Sequence, residues 1–306
     1  MISKILVPID FSQPSEEALV VAHQLAKKFH ATLELVHVLE IPLPDEEVAV
    51  TRFEILPMAY VRQLKEEARE QMETLAKRHH MGDVEIVYRV QTGNPYRSII
   101  RELVKNPADL VVMGSKGASG DHEVWVGSNA ERMVRFAHCP VLVVKEKFRI
   151  DRIKNIVFAT ALRDYAPEVV NRLSALQQAL GAHLHLVRVN TSGNFMEDPY
   201  VKEELRKLVR EHHLKNVTVH TYSDVREEDG IIHFAQEIKA NLIALTTRGR
   251  RGLAHLLGGS IAEDVTNHTK LPVWTMNLRH QGAKTTALTS KAKPKATRQG
   301  KKAKTD

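Results

Sequence analysis

Short runs of apolar residues recur along the chain, separated by longer stretches in which apolar side chains return at every third or fourth position. The first pattern belongs to strands covered on both faces, the second to helices with one apolar stripe. The runs predict strands near residues 3–9, 32–39, 84–90, 109–113 and 141–145, and again near 154–159, 183–189, 217–222, 241–246 and 272–276. Between them, "PSEEALVVAHQLAKKF" (14–29) and "AYVRQLKEEAREQMETLAKRH" (59–79) carry the helical period. Strands alternating with helices of this length imply a parallel sheet crossed over by helices.

The pattern is written twice. "KILVPIDFS" (4–12) matches "KNIVFATAL" (154–162), and "ATLELVHVLE" (31–40) matches "AHLHLVRVNT" (182–191), at a spacing of 150 to 151. "ADLVVMGSKG" (108–117) then matches "ANLIALTTRG" (240–249), and "CPVLVV" matches "LPVWTM", at a spacing of 132. The first half therefore holds about 18 extra residues after its second strand, around 41–57, a proline-restricted segment expected to cover a site in that half. The chain reads as two tandem, five-stranded, doubly wound parallel α/β domains, 1–146 and 151–278. The connection between them is brief, so the halves are expected to pack as an intramolecular pseudo-dimer through their last strands, which would otherwise be exposed edges.

Composition changes this picture mainly at one end. With 43% hydrophobic and 26% charged residues the chain has the balance of a globular protein, and no apolar run approaches the roughly 20 residues of a membrane span. No membrane insertion is expected, and "MISKILVPID" lacks a signal-peptide pattern, so the expected location is the cytoplasm. Residues 279–306 hold nine of the 44 lysines and arginines but one of the 37 acids, which leaves the rest of the chain one charge short of neutral. That segment reads as a disordered basic tail able to make weak nucleic-acid contacts, with no aromatic residue to stack on bases. Cys139 is the only cysteine, which rules out an intramolecular disulfide and reads as a buried apolar side chain rather than a reactive thiol.

In open α/β sheets ligands bind beyond the carboxyl ends of the strands, where the strand order reverses. That rule selects "VPID" after the first strand, "VHVLE" at the end of the second and "GSKGASGDHEVWVGSNAE" (114–131) after the fourth. Gly114 and Gly117 permit positive φ and close approach to an anion, and Gly127 leads into a helix whose free amides favour phosphate. A second reading competes: Ser128 followed by Glu131 is a capping box, repeated in the second half as Ser260 and Glu263. Spacing leaves both readings open.

The spacing Gly114, Gly117, Gly127, Ser128, together with "VPID" and "CPVLVV", resembles the universal stress protein family, over about residues 1–277, in its tandem form. The resemblance implies a Rossmann-like, adenine nucleotide alpha hydrolase-like fold and a site for ATP, with Mg an accompaniment left open. By the same resemblance Pro8, Ile9, Asp10 and the backbone at Val38 would lie near adenine and ribose. Met113, Gly114, Lys116 and Gly117 would run along ribose and phosphates, and Gly127, Ser128 and Asn129 would meet the phosphates. Asp10 has an alternative use as a strand-end turn or helix cap. The second half departs from the pattern: Thr160 is read opposite Asp10, and Thr246 opposite Gly114, where a β-branched residue would be strained if positive φ were required.

The function expected is a nucleotide-binding stress or regulatory protein with an unidentified protein partner and, at most, weak ATPase activity. The alternatives are a slow ATP hydrolase and a nucleotide-independent scaffold. No G-x4-G-K-[S/T] loop is present for vigorous turnover, and "LVPIDFS" lacks the clustered acids of a phospho-acceptor domain. No metal site is assigned. His183 and His185 alternate on one strand with a spacing compatible with a metal ion, yet histidines at sheet edges and helix ends, such as His79, His80, His212 and His213, need no ligand to be there.

Overall fold

The computed structural model describes residues 2–40, 57–115, 127–162, 167–247 and 261–277. The tail 279–306, nearly all of the 41–57 segment, Lys116 and Gly117 lie outside the described residues. The first half runs β1 (Lys4–Ile9), α1 (Gln13–Phe29), β2 (Thr32–Leu39), α2 (Met58–Arg78), β3 (Ile86–Thr92), α3 (Pro95–Lys105), β4 (Leu110–Gly114), α4 (Ser128–Phe136) and β5 (Val141–Val144). A 3-10 turn, Ile150–Arg152, leads into β6 (Asn155–Ala159), α5 (Pro167–Leu180), β7 (His183–Asn190), α6 (Asp198–Glu211), β8 (Val217–Ser223), α7 (Glu227–Glu237), β9 (Leu242–Thr247), α8 (Ile261–His268) and β10 (Val273–Asn277). All ten strands stand within two or three residues of where the apolar runs put them.

Local chemistry sets the helix ends. Ser12 caps α1 by accepting from the Ser15 amide, and Pro14 fits the first turn, where a missing N–H leaves nothing unpaired. At the other end His30 adopts the left-handed conformation (φ 54°) that closes the helix. Asn94 caps α3 through the Arg97 amide at 3.1 Å.

The strands form one sheet in the order β3-β2-β1-β4-β5-β10-β9-β6-β7-β8. Each half is the doubly wound parallel arrangement, with its order reversing beside its first strand. The halves meet where β5 and β10 pair antiparallel, with Val273 opposite Val143, Trp274 opposite Leu142 and Thr275 opposite Val141. The central strands β4, β5 and β10 are buried throughout, whereas β3 and β8 at the rims are mostly half-buried, as helices on both faces but no strand beyond them require. One apolar core lies on each face, and each crosses the seam: Ile5, Leu25 and Leu142 pack in the same cluster as Phe158 and Trp274, while Leu6, Met133 and Val143 share theirs with Val157 and Val273. Cys139 is buried in the second cluster, and burial pushes its thiol up to about 12, which makes it inert.

Polar contacts lock the same seam. Arg135 on α4 donates through Nε and Nη2, both at 2.6 Å, to the two carboxylate oxygens of buried Glu263 on α8. The connecting segment is pinned as well, because the Ile150 amide donates to Gln24 Oε1 at 3.0 Å. Among the described residues, no helix is long and apolar enough to cross a membrane.

Because Trp274 is a fully buried ring on the seam strand, Trp274→Ala is expected to lower stability by about 3–5 kcal/mol. Denaturant unfolding followed by far-UV circular dichroism measures this, and a loss under 1 kcal/mol would show that the seam carries little of the stability.

Candidate functional site

In the first half the order reverses between β1 and β4, and a cleft of about 300 Å³ opens there beyond the strand ends. Pro8, Ile9, Asp10, Val38, Met113, Gly114, Gly127, Ser128 and Asn129 all line it, so nine of the eleven residues selected from the sequence converge; Lys116 and Gly117 lie outside the described residues. Sequence reading missed Ser15, Val36, Glu40, Pro95, Ile99, Ser115 and Ala130, which line it too. Val36, Ile99, Met113 and Ala130 form an apolar floor. Glu40 brings a second acid to the lining; its signal in the sequence is its place one residue past the end of β2.

Asp10 serves the turn as well as the cleft. Its Oδ1 accepts from the Ser12 amide at 3.0 Å and the Ser12 hydroxyl at 2.5 Å, which positions the serine that caps α1. Phe11 between them takes the left-handed conformation (φ 61°), and its ring packs on His37, whose Nδ1 lies 2.8 Å from the Ile9 carbonyl oxygen. The strand end is thereby held before any ligand arrives.

Two readings of the glycine stretch change. Gly114 ends a strand in extended backbone, not at positive φ; its need is room, because an added Cβ would stand 2.7 Å from the backbone carbon and oxygen of Pro14. The glycine lets α1 start directly against β4. Nor is Ser128 the cap of α4: Gly127 holds that position (φ −60°, ψ 146°), Ser128 is the first helical residue, and no side chain caps the helix among the described residues. The Gly127 amide donates to the Ser115 carbonyl at 2.7 Å, which fixes the helix start beside the end of β4. The capping-box reading therefore fails. The opening residues of α4 line the cleft, no side chain among the described residues accepts from their amides, and the positive end of the helix dipole lies there with them.

Residues 1–145 and 152–276 each match the universal stress protein family. The chain belongs to that family, as a tandem of two units. The universal stress protein MJ0531 of Methanocaldococcus jannaschii is 35% identical over 143 residues, which are 47% of this chain and 82% of that protein. The universal stress protein YxiE of Bacillus subtilis is 29% identical over 154 residues, 47% of this chain and all of that protein. A solved universal stress protein structure from Archaeoglobus fulgidus covers 90% of this chain and 98% of its own, with a TM-score of 0.71 at 20% identity, a likeness of fold.

In this universal stress protein the second half serves as an internal comparison, and strand register corrects how it is aligned. Ile156 pairs with Leu242 as Ile5 pairs with Leu110, so the first strands correspond at a spacing of 151. Ala161, not Thr160, therefore stands opposite Asp10, and Leu162 (φ 67°) stands opposite Phe11. The shared lysines Lys4 and Lys154 suggested the other frame, but a one-residue slip would turn every core side chain to the wrong face. The carboxylate is absent from the second half all the same. Thr246 lies in the extended strand β9, without the backbone strain expected for it.

A cavity of about 480 Å³ occupies the matching place, lined by Thr160, Arg188, Asn194, Glu227, Thr246 and Thr247 among others. Arg188 stands where the first half has His37. It is buried and reaches the strand-end loop, donating to the carbonyl oxygen of Asn194 at 2.5 Å and to Asn190 Oδ1. Asn194 in turn donates to Glu227. The second strand end is thus bound into its own polar network, which sequence reading missed; "VRVN" in place of "VHVL" was its signal.

Because Gly114 supplies the room α1 needs against β4, Gly114→Ala should lower stability by about 1–3 kcal/mol through overpacking against Pro14, whereas Thr246→Ala should change it by less than about 1 kcal/mol. Thermal and denaturant unfolding of the two variants measures the contrast.

Proposed function

We propose that the first half, residues 1–146, binds one ATP per chain, and that the protein acts in the cytoplasm as a stress-response or regulatory protein whose nucleotide state is read by a protein partner, with little turnover. The carrying observation is the convergence of an apolar floor, a carboxylate and an uncapped helix start in one cleft. Adenine suits Val36, Val38, Ile99 and Met113; ribose hydroxyls suit Asp10, an acceptor; phosphates suit the amides of Ser128 and Asn129 and the Ser128 hydroxyl. A Mg ion would travel with the phosphates and supply charge neutralisation there. Residues 151–278 act as a structural partner, since Ala161 replaces the carboxylate and Arg188 ties up the strand end. The basic tail is left for weak contacts with polyanions.

Titration calorimetry of the full chain with ATP is expected to give one site. Asp10→Ala and Ser128→Ala should each weaken binding about 5- to 150-fold, the loss of roughly 1–3 kcal/mol of hydrogen bonding, while Thr246→Ala leaves it unchanged. Two sites, or a loss confined to Thr246→Ala, would overturn the assignment; no binding at all would favour the scaffold reading.

A further inference from the structure

Three histidines of the second half meet on one face of its two outermost strands. His183 and His185 alternate on β7, and His220 stands beside them on β8, opposite Val187 in the register. His185 Nδ1 and His220 Nε2 are 3.3 Å apart. The Thr218 hydroxyl oxygen lies 3.0 Å from His183 Nε2, 3.1 Å from His185 Nδ1 and 2.8 Å from His220 Nε2. One hydroxyl oxygen thus lies within 3.1 Å of a nitrogen from each of the three rings, and two of those nitrogens are 3.3 Å apart. A tetrahedral zinc ion with bonds of about 2.0–2.1 Å sets its donors about 3.3 Å apart.

The hydrogen bonds behind the rings orient two of those nitrogens. Asn216 donates through Nδ2 to the Ala182 carbonyl at 3.0 Å, so its Oδ1, 2.6 Å from His183 Nδ1, is an acceptor. His183 therefore donates from Nδ1, which in the neutral ring puts the lone pair on Nε2. Asn155 similarly donates to the Ile238 carbonyl and offers Oδ1 to His185 Nε2 at 3.3 Å, which leaves His185 Nδ1 bare. Two lone pairs thus face one hydroxyl that has a single proton to give. Amide oxygens behind the rings are also what fixes tautomer and aim in metal-bound imidazoles. Burial and the two neighbouring rings bring His185 down to about 4, so this ring is neutral in ordinary buffers.

The first half fills the corresponding positions with an ion network: Glu34, opposite number of His185, is ion-paired with Lys4 at 3.1 Å and accepts from Arg89 at 3.2 Å. Asn155 and His220 stand where those two cations do. The second half has exchanged those opposite charges for three imidazoles gathered around one hydroxyl.

We propose that His183, His185 and His220 bind one borderline transition-metal cation of the zinc class, with the Thr218 hydroxyl at the fourth corner. Among the described residues no group of three His, Cys, Asp or Glu side chains is placed, as it stands, to hold a metal ion. Binding therefore requires the half-buried rings to swing onto the ion, which their place at the rim of the sheet permits. Six strand spacings separate β7 from β1, roughly 29 Å at about 4.8 Å each, so this cation is distinct from one bound to nucleotide phosphates.

The test uses tag-free full-length protein stripped with a chelator, titrated with Zn²⁺ against a chromophoric competitor and, separately, with Co²⁺ while the visible spectrum is recorded. One Zn²⁺ per chain and an intense tetrahedral Co²⁺ band are expected. His183→Ala and His220→Ala should each weaken Zn²⁺ at least about tenfold and bleach the band, with circular dichroism and ATP titration unchanged; the paired control His79→Ala/His80→Ala should leave the metal bound. Absence of Zn²⁺ binding, an octahedral Co²⁺ spectrum, or affinity indifferent to His183→Ala and His220→Ala would overturn the proposal. Because ATP is titrated in the same samples, failure of the metal site and failure of the nucleotide reading are separately visible.

Discussion

The antiparallel pairing of β5 with β10 is the interaction on which the rest of the molecule depends. Either strand alone would end its half-sheet as a largely apolar edge with unpaired amides and carbonyls, a structure that recruits another strand. Pairing the two turns a pair of five-stranded sheets into one of ten, lets both cores run through the seam, and buries Trp274 and Glu263 where the halves meet. Because the pairing is antiparallel, the carboxyl ends of the two sets of strands point to opposite rims. The two strand-end cavities cannot merge into one composite site, and each half has been free to change its own.

That freedom has been used unevenly. The backbone is repeated closely enough that β-register equates residues one for one, yet the side chains at matching positions do different things. Asp10 becomes Ala161, and His37 becomes Arg188, which ties the second strand end to its own loop. Farther back along the sheet, Glu34 and Arg89 become His185 and His220, and an ion network becomes a cluster of imidazoles. Duplication supplied a scaffold whose stability rests on apolar burial, and apolar burial is indifferent to which polar groups occupy the rims.

Periodicity alone determined the elements, the repeat, the parallel winding and the rim of the sheet at which to look for a site, because each rests on local spacing and on the need to bury one face or both. What required the tertiary structure were contacts between residues far apart in the chain, whose partners no local pattern names. Gly114 looks like a hinge for an anion until Pro14 is placed against it, 2.7 Å from where a Cβ would be. Ser128 and Glu131 spell a capping box, but the helix begins one residue earlier than that box requires, with the Gly127 amide bonding back to Ser115. Thr160 matches Asp10 in letters, and only the pairing of Ile156 with Leu242 shows that the frame is shifted by one. Glu40 and His220 are unremarkable where they stand in the sequence; crossover connections bring one to the wall of a cleft and the other to two histidines more than thirty residues away.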